Sequence, residues 1–184
     1  MRHLIDFGDL TRAGWESLYQ RCSDIMAPPA DFMDACRGRV MASLFYEPST
    51  RTNFSFQTAM LRVGGTVFGF ADPKSTSTAK GETLKDTIKM VSGYADVVVM
   101  RNPKEGAAKA ASLYSDVPVI NAGDGGHMHP TQTTADLTTI TRLRGKVDGL
   151  SVGLCGDLKN GRTVHSLIKA LAKFEGIKFF LIAP

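Results

Sequence analysis

Residues 40–56 read VMASLFYEPSTRTNFSF. The apolar run has the length of a strand, breaks at Glu47-Pro48, and passes through small hydroxyl residues into a segment of helical spacing. Phe56, Ala59, Met60 and Val63 share one helical face, Ser49 stands where a cap belongs, and Gly64-Gly65 stops the helix. Arg51 falls in the first turn. A helix N-terminus already carries partial positive charge from its unpaired N–H groups, so a cation there is unfavourable unless an anion sits beside it.

The same switch of period continues in both directions. Trp15, Leu18, Tyr19, Cys22, Ile25 and Met26 recur at three-to-four spacing, in a helix capped by Asp9 or Thr11 and ended by Pro28-Pro29. TVFGF at 66–70 reads as a strand. The polar stretch ADPKSTSTAKGET leads to a helix from Leu84 to about Tyr94; VVVM at 97–100 and VPVIN at 117–121 read as strands with a helix between them. Strands that are apolar throughout and alternate with helices predict an α/β fold, a parallel sheet with helices on both faces. In such sheets ligands sit beyond the carboxyl ends of the strands.

That rule gathers the polar residues. Ser49, Thr50, Arg51 and Thr52 follow the first strand, Lys80 lies in the loop after the second, Arg101 follows VVVM, and GDGGHMHPTQT follows VPVIN. Pro130 suits a first helical turn, so His129 and Gln132 are expected on one face at a second helix N-terminus. Two helix ends, two arginines and a lysine call for a phosphate-sized anion. Taken singly, Arg101 and Lys80 read as solvated charges and His129 as a cap; Arg51 alone is at odds with its place. His3 and His127 have no assigned role.

The chain has 184 residues, 43% hydrophobic and 22% charged, the composition of an ordinary globular sequence with room for one full domain and part of another. Its net charge of +4 is mild and scattered, which argues against nucleic acid as a partner. No apolar run reaches membrane-spanning length and the opening MRHLIDFGDL lacks a signal-peptide core, so the cytoplasm is the expected location. Cys22, Cys36 and Cys155 lack CxxC spacing, so neither a disulfide framework nor a zinc site is expected.

Five segments, FYEPSTRTNFSF, STAKGETLKDT, VVVMRNP, NAGDGGHMHPTQTTADLTTI and GDLKNGRTVHSL, together and in order resemble the catalytic chain of the aspartate transcarbamoylase (aspartate carbamoyltransferase) family. The resemblance implies a carbamoyl-phosphate domain over 1–145 and the start of an aspartate domain over 146–184, in a trimer with active sites shared between neighbouring chains. It implies that Ser49, Thr50, Arg51 and Thr52 cradle the phosphate of carbamoyl phosphate. Thr52, Arg101 and His129 would donate to the carbamoyl oxygen, and Gln132 would orient the carbamoyl NH₂. Lys80 and a hydroxyl, Ser77 or Thr76, would come from the adjacent chain, and Arg162 would bind an aspartate carboxylate.

The implied reaction is transfer of the carbamoyl group to L-aspartate, the entry to pyrimidine synthesis, with no metal or organic cofactor. Regulatory chains or other pyrimidine enzymes are possible partners. Ornithine transcarbamoylase shares the phosphate and HPTQ features but not GDLKNGRTVHSL, so aspartate is preferred. The chain stops at FFLIAP after one strand–helix–strand of the second domain, which lacks the later segments of the family. A truncated, non-catalytic carbamoyl-phosphate-binding or assembly module is therefore the alternative.

Overall fold

The computed structural model describes residues 3–183. In chain order the elements are α1 (Arg12–Met26), β1 (Val40–Phe45), α2 (Thr50–Arg62), β2 (Thr66–Phe70), α3 (Leu84–Ser92), β3 (Val97–Asn102), α4 (Ala107–Tyr114), β4 (Val119–Asp124), α5 (Pro130–Arg144), β5 (Ser151–Cys155), α6 (Arg162–Leu171) and β6 (Lys178–Ile182). Four strands form one parallel sheet in the order β2-β1-β3-β4, and β5 and β6 pair in a second parallel sheet. The α/β architecture expected from the alternating periods is the one observed.

Alternate residues of the central strands feed two cores. Ala42, Leu44, Val98, Met100 and Val119 pack against Ile88 and Val91 of α3 and Ala107, Ala108 and Ala111 of α4. On the opposite face Met41, Phe45, Val99 and Ala122 meet Met60, Phe56 and Val63 from the stripe of α2. Each fully buried side chain of this size contributes roughly 1.5–3 kcal/mol. A third cluster, Phe7, Leu10, Trp15, Leu137, Val147, Ala170 and Leu171, joins α1, α5 and α6, so the second sheet is docked on the first unit by apolar contact. Among the described residues no helix is long and apolar enough to cross a membrane.

Three expectations need correction. The apolar stripe of α1 is only partly core: Trp15 is buried against Leu137 of α5 and Leu171 of α6, whereas Ile25 and Met26 at the far end of the helix are exposed along an open cavity. β2 is an edge strand and half open, with Phe68 exposed, so its apolar sequence does not mean cover on both faces. α3 ends at Ser92, capped by Gly93, short of Tyr94. The stop after α2 is as read. Gly64 has φ 83°, and a Cβ there would lie 2.6 Å from the Met33 carbonyl oxygen, so only glycine fits that turn.

The strand order reverses between β1 and β3, since β2 lies on one side of β1 and β3 on the other. Such a switch point opens a crevice at the carboxyl ends of the two strands. The Tyr46 amide donates to the Arg101 carbonyl at 2.8 Å and closes the floor of that crevice.

Candidate active site

Arg101, near the end of β3, is 12% exposed in its side chain and lies across the crevice. Its Nε donates to Glu47 Oε1 at 2.6 Å and its Nη1 to Thr52 Oγ1 at 3.3 Å. Arg162 opens α6 in the second unit. Its Nη1 donates to the same Glu47 oxygen at 3.2 Å and to the Gly125 carbonyl at 2.7 Å. One carboxylate oxygen thus holds guanidiniums from both sheets, and the cluster keeps an excess of positive charge. Gly123 (φ 116°) makes room for it: a Cβ there would touch Arg162 Cζ at 3.4 Å.

His129 is the N-cap residue of α5, at φ −144°, with Pro130 in the first helical position. It is 8% exposed. Its backbone N–H donates to Ser166 Oγ at 2.7 Å, and its Nδ1 lies 3.3 Å from Thr131 Oγ1. Burial, and after it the charges of Arg162 and Arg101, push the His129 pKa down to about 4. The ring is therefore neutral at physiological pH, with one N–H to give. The loop before it is organised by Asp124, 2% exposed, which accepts from Asn121 Nδ2 (3.0 Å), the Met128 amide (3.0 Å) and the Gly106 amide (2.9 Å).

The start of α2 carries the remaining charge. Ser49 occupies the N-cap position but makes no side-chain capping bond, contrary to the expectation; its ψ of 84° lies off the usual capping geometry, so the hydroxyl is left for another partner. Thr50 and Arg51 are exposed and Thr52 is partly buried. Behind them Asn53 Oδ1 accepts from Ser43 Oγ (2.9 Å) and Gln57 Nε2 (2.7 Å), which ties the first turn to β1.

Two groups of expected residues stand apart. Gln132, one turn into α5 from the cap residue His129, is exposed and donates to Asp136 Oδ1 at 2.9 Å. Ser77 and Lys80 lie in a 3-10 turn, Ser77–Lys80, on the loop that lines a cavity together with Leu44, Phe68 and Phe70. Both are exposed, and among the described residues Lys80 makes no hydrogen bond or ion pair with the arginines or His129. Thr76 Oγ1 donates to the Pro73 carbonyl (2.7 Å) and accepts from the Thr78 amide (3.2 Å).

A family model described as the carbamoyl-phosphate-binding domain of aspartate/ornithine carbamoyltransferase matches residues 2–142. The chain belongs to the aspartate/ornithine carbamoyltransferase family. It is 56% identical over its whole length to a protein named aspartate carbamoyltransferase catalytic subunit in Clostridium perfringens, and 57% to one of that name in Clostridium acetobutylicum. The chain spans 60% of the length of these curated relatives. Among solved structures, the catalytic subunit of M. jannaschii aspartate transcarbamoylase is similar at TM-score 0.90 and 46% identity, covering 100% of this chain and 61% of that one. The Trypanosoma cruzi aspartate transcarbamoylase in complex with carbamoyl phosphate and aspartate is similar at 0.93 and 41%, covering 100% and 58%.

Within this member of the family, Glu47, Asp124 and Ser166 contact the candidate site residues or the loop that carries His129, and sequence reasoning left them without a role. Glu47 had a signal: it sits inside the opening stretch, just past the end of β1, where converging arginines require a counter-charge. Ser166 had none, since its link to His129 spans 37 residues.

Proposed function

We propose that this chain forms the carbamoyl-phosphate site of an aspartate carbamoyltransferase, which transfers the carbamoyl group of carbamoyl phosphate to L-aspartate and yields N-carbamoyl-L-aspartate and phosphate. The observation that carries this reading is the meeting of Arg101, Thr52 and a buried, neutral His129 beside the uncapped N-terminus of α2. The phosphate sits on the amides and hydroxyls of Ser49, Thr50 and Thr52 with Arg51 beside it, which answers the odd placement of that arginine.

The carbamoyl oxygen points at Arg101, Thr52 and His129. Thr131 Oγ1 lies 3.3 Å from His129 Nδ1, and in the tautomer this reading requires the hydroxyl donates to Nδ1 and the ring proton stays on Nε2 for that oxygen. The aspartate amine attacks the carbonyl carbon, charge builds on the oxygen, and these donors stabilise it. The bond to the phosphate oxygen breaks with its electron pair, and the departing phosphate takes the proton lost by the amine. Gln132 leaves Asp136 to orient the carbamoyl NH₂.

Residues 1–145 make the carbamoyl-phosphate unit and 146–184 begin the aspartate unit, where Arg162 binds one aspartate carboxylate. Lys80, with Ser77 or Thr76, serves the site of an adjacent copy in a cytoplasmic homotrimer. Aspartate is favoured over ornithine by the segment GDLKNGRTVHSL and by the relatives' names. A second reading, a binding module without turnover, is favoured by one observation: Phe180, Leu181 and Ile182 of β6 are exposed. Titration calorimetry of the chain with carbamoyl phosphate tests the site, with folding checked by circular dichroism. Binding at millimolar or tighter affinity is expected; a folded chain that binds neither carbamoyl phosphate nor phosphate overturns the assignment.

A further inference from the structure

His165 occupies the fourth position of α6 and is half-buried between two loops. Its Nδ1 lies 3.1 Å from the Gly126 carbonyl oxygen and its Nε2 lies 2.8 Å from the Leu158 carbonyl oxygen. Both ring nitrogens thus face acceptors. A neutral imidazole has one N–H and can satisfy one of them; only the doubly protonated ring donates to both. Gly126 lies three residues before His129, and Leu158 lies four before Arg162. Arg162, on the same face of α6, grips the neighbouring Gly125 carbonyl.

We propose that His165 is a positioning residue that, doubly protonated, ties the loop carrying His129 to the loop carrying Arg162, and that loss of one ring proton loosens the two loops together. The neutral ring sets a lone pair against a carbonyl oxygen, and that contact opens. The charged and titratable groups around it come from three elements. Asp157 and Lys159 lie on the 156–161 loop. Asp124, His127 and His129 lie on the 124–129 loop, where Glu105 Oε1 also approaches Gly126. Arg162 and Lys169 lie on α6 itself. The Asp157 carboxyl is held below its usual range first by the Asn160 amide, and His165 adds to that effect.

The functional half of the inference rests on the carbamoyl-phosphate reading; the brace itself does not. Long-range ¹H–¹⁵N correlation spectra across pH about 5–9 follow the four histidine rings directly. The Gly125, Gly126 and Leu158 amides are expected to move with the midpoint at which His165 loses its second proton, and His165→Phe abolishes that shared transition. A ring that titrates without moving these amides, or that holds one proton throughout, overturns the brace.

Calorimetry then compares carbamoyl phosphate affinity of the wild type, His165→Phe and His165→Asn at both ends of the range. The ratio of wild type to variant cancels the ligand's own protonation. It is expected to be on the order of tenfold at the acid end and to collapse at the alkaline end. A ratio equal at both ends marks a merely structural loss and overturns the positioning role. If wild type binds no carbamoyl phosphate at all, the functional reading falls, while the amide titration still decides the brace.

Discussion

The two sheets of this molecule are built by the same rule and finished to different degrees. β1 and β3 are covered on both faces, with Leu44, Phe45, Val98, Val99 and Met100 all 1% exposed or less. β6 has the same apolar character, yet Phe180, Leu181 and Ile182 are 56%, 59% and 54% exposed. Successive strand residues point to opposite faces, so these three exposures leave β6 open on both faces, which α6 does not cover. The site divides along the same line. The residues assigned to carbamoyl phosphate rise from the finished unit, and Arg162 alone comes from the open one. Recognition of the first substrate should therefore stand by itself, and handling of the second should not.

The largest expected effect is on turnover. Purified 184-residue chain should form carbamoyl aspartate far more slowly than the Clostridium perfringens relative. Fixing the amine against the carbonyl carbon is worth about 7–11 kcal/mol when complete, and losing a third of it slows the reaction by on the order of 10²-fold. A radiochemical assay for carbamoyl aspartate reads this directly. Comparable rates would erase the contrast between the units.

Next in size is a pair of substitutions that splits the two halves. Arg101→Ala should weaken carbamoyl phosphate by roughly 10–100-fold, the worth of charge-assisted hydrogen bonds. Arg162→Ala should weaken it less than Arg101→Ala, only through the Gly125 and Glu47 contacts it gives up, because its proposed substrate partner is the aspartate carboxylate. Equal losses in calorimetry would show that the second unit already belongs to the first substrate's site.

His129 gives a pH test of the finished unit. Its pKa falls from 6.5 to about 4 on folding, so the unfolded chain binds the proton more readily between those values. Stability is then undiminished above about pH 6.5 and is lost as pH falls towards 4, by about 3 kcal/mol at most. Denaturant unfolding of wild type and His129→Gln across that range should show a steeper acid loss in wild type. Parallel curves would mean that the ring is not held neutral by its surroundings.

Glu47 is the joint between the units. Its carboxylate serves Arg101 and Arg162 at once, with side-chain exposures of 23%, 12% and 21%. Glu47→Gln leaves two guanidiniums with a weaker acceptor and should cost about 2 kcal/mol of stability, less than a fully buried pair. Hydrogen exchange should show α6 opening before β3. Uniform loss across both sheets would mean that Glu47 supports the whole fold rather than the joint.

What the sequence made legible follows from the range of the interactions involved. Parallel strands buried on both faces announce themselves as apolar runs, and the strand-end rule puts Arg101, His129 and the Ser49–Thr52 segment at or beyond the carboxyl ends of β3, β4 and β1, where the structure has them. The openness of β2 was not legible, because being an edge strand depends on which strands pair, and TVFGF carries no mark of that. Glu47 was passed over since a carboxylate seems out of place in a phosphate site until two arginines are seen sharing it. The bond of Gln132 to Asp136 was not legible, since many surface side chains at i, i+4 could pair and the sequence does not say which do.

The smallest effect concerns a loop that belongs to neither core. Thr76 is the N-cap of the Ser77–Lys80 turn and uses its hydroxyl twice, as donor to Pro73 and acceptor from Thr78. Ser77 is exposed beside it. Losing such a cap costs about 1 kcal/mol, which in a chain of this size lowers Tm by about 2–4 °C. Thr76→Ala should therefore melt slightly earlier and Ser77→Ala at the wild-type temperature. In the proposed trimer the same two variants separate the candidates for the hydroxyl proposed to serve an adjacent copy. Ser77 can turn to a neighbouring phosphate at no local cost, whereas Thr76 must first give up its bond to Pro73. Whichever substitution weakens phosphate binding in the trimer identifies the donor. If neither does, no hydroxyl of this loop serves a neighbour, and mixing an Arg51→Ala chain with a Lys80→Ala chain tests Lys80 by itself: regained sites containing neither change support the interchain role, and none regained in hybrid trimers overturns it.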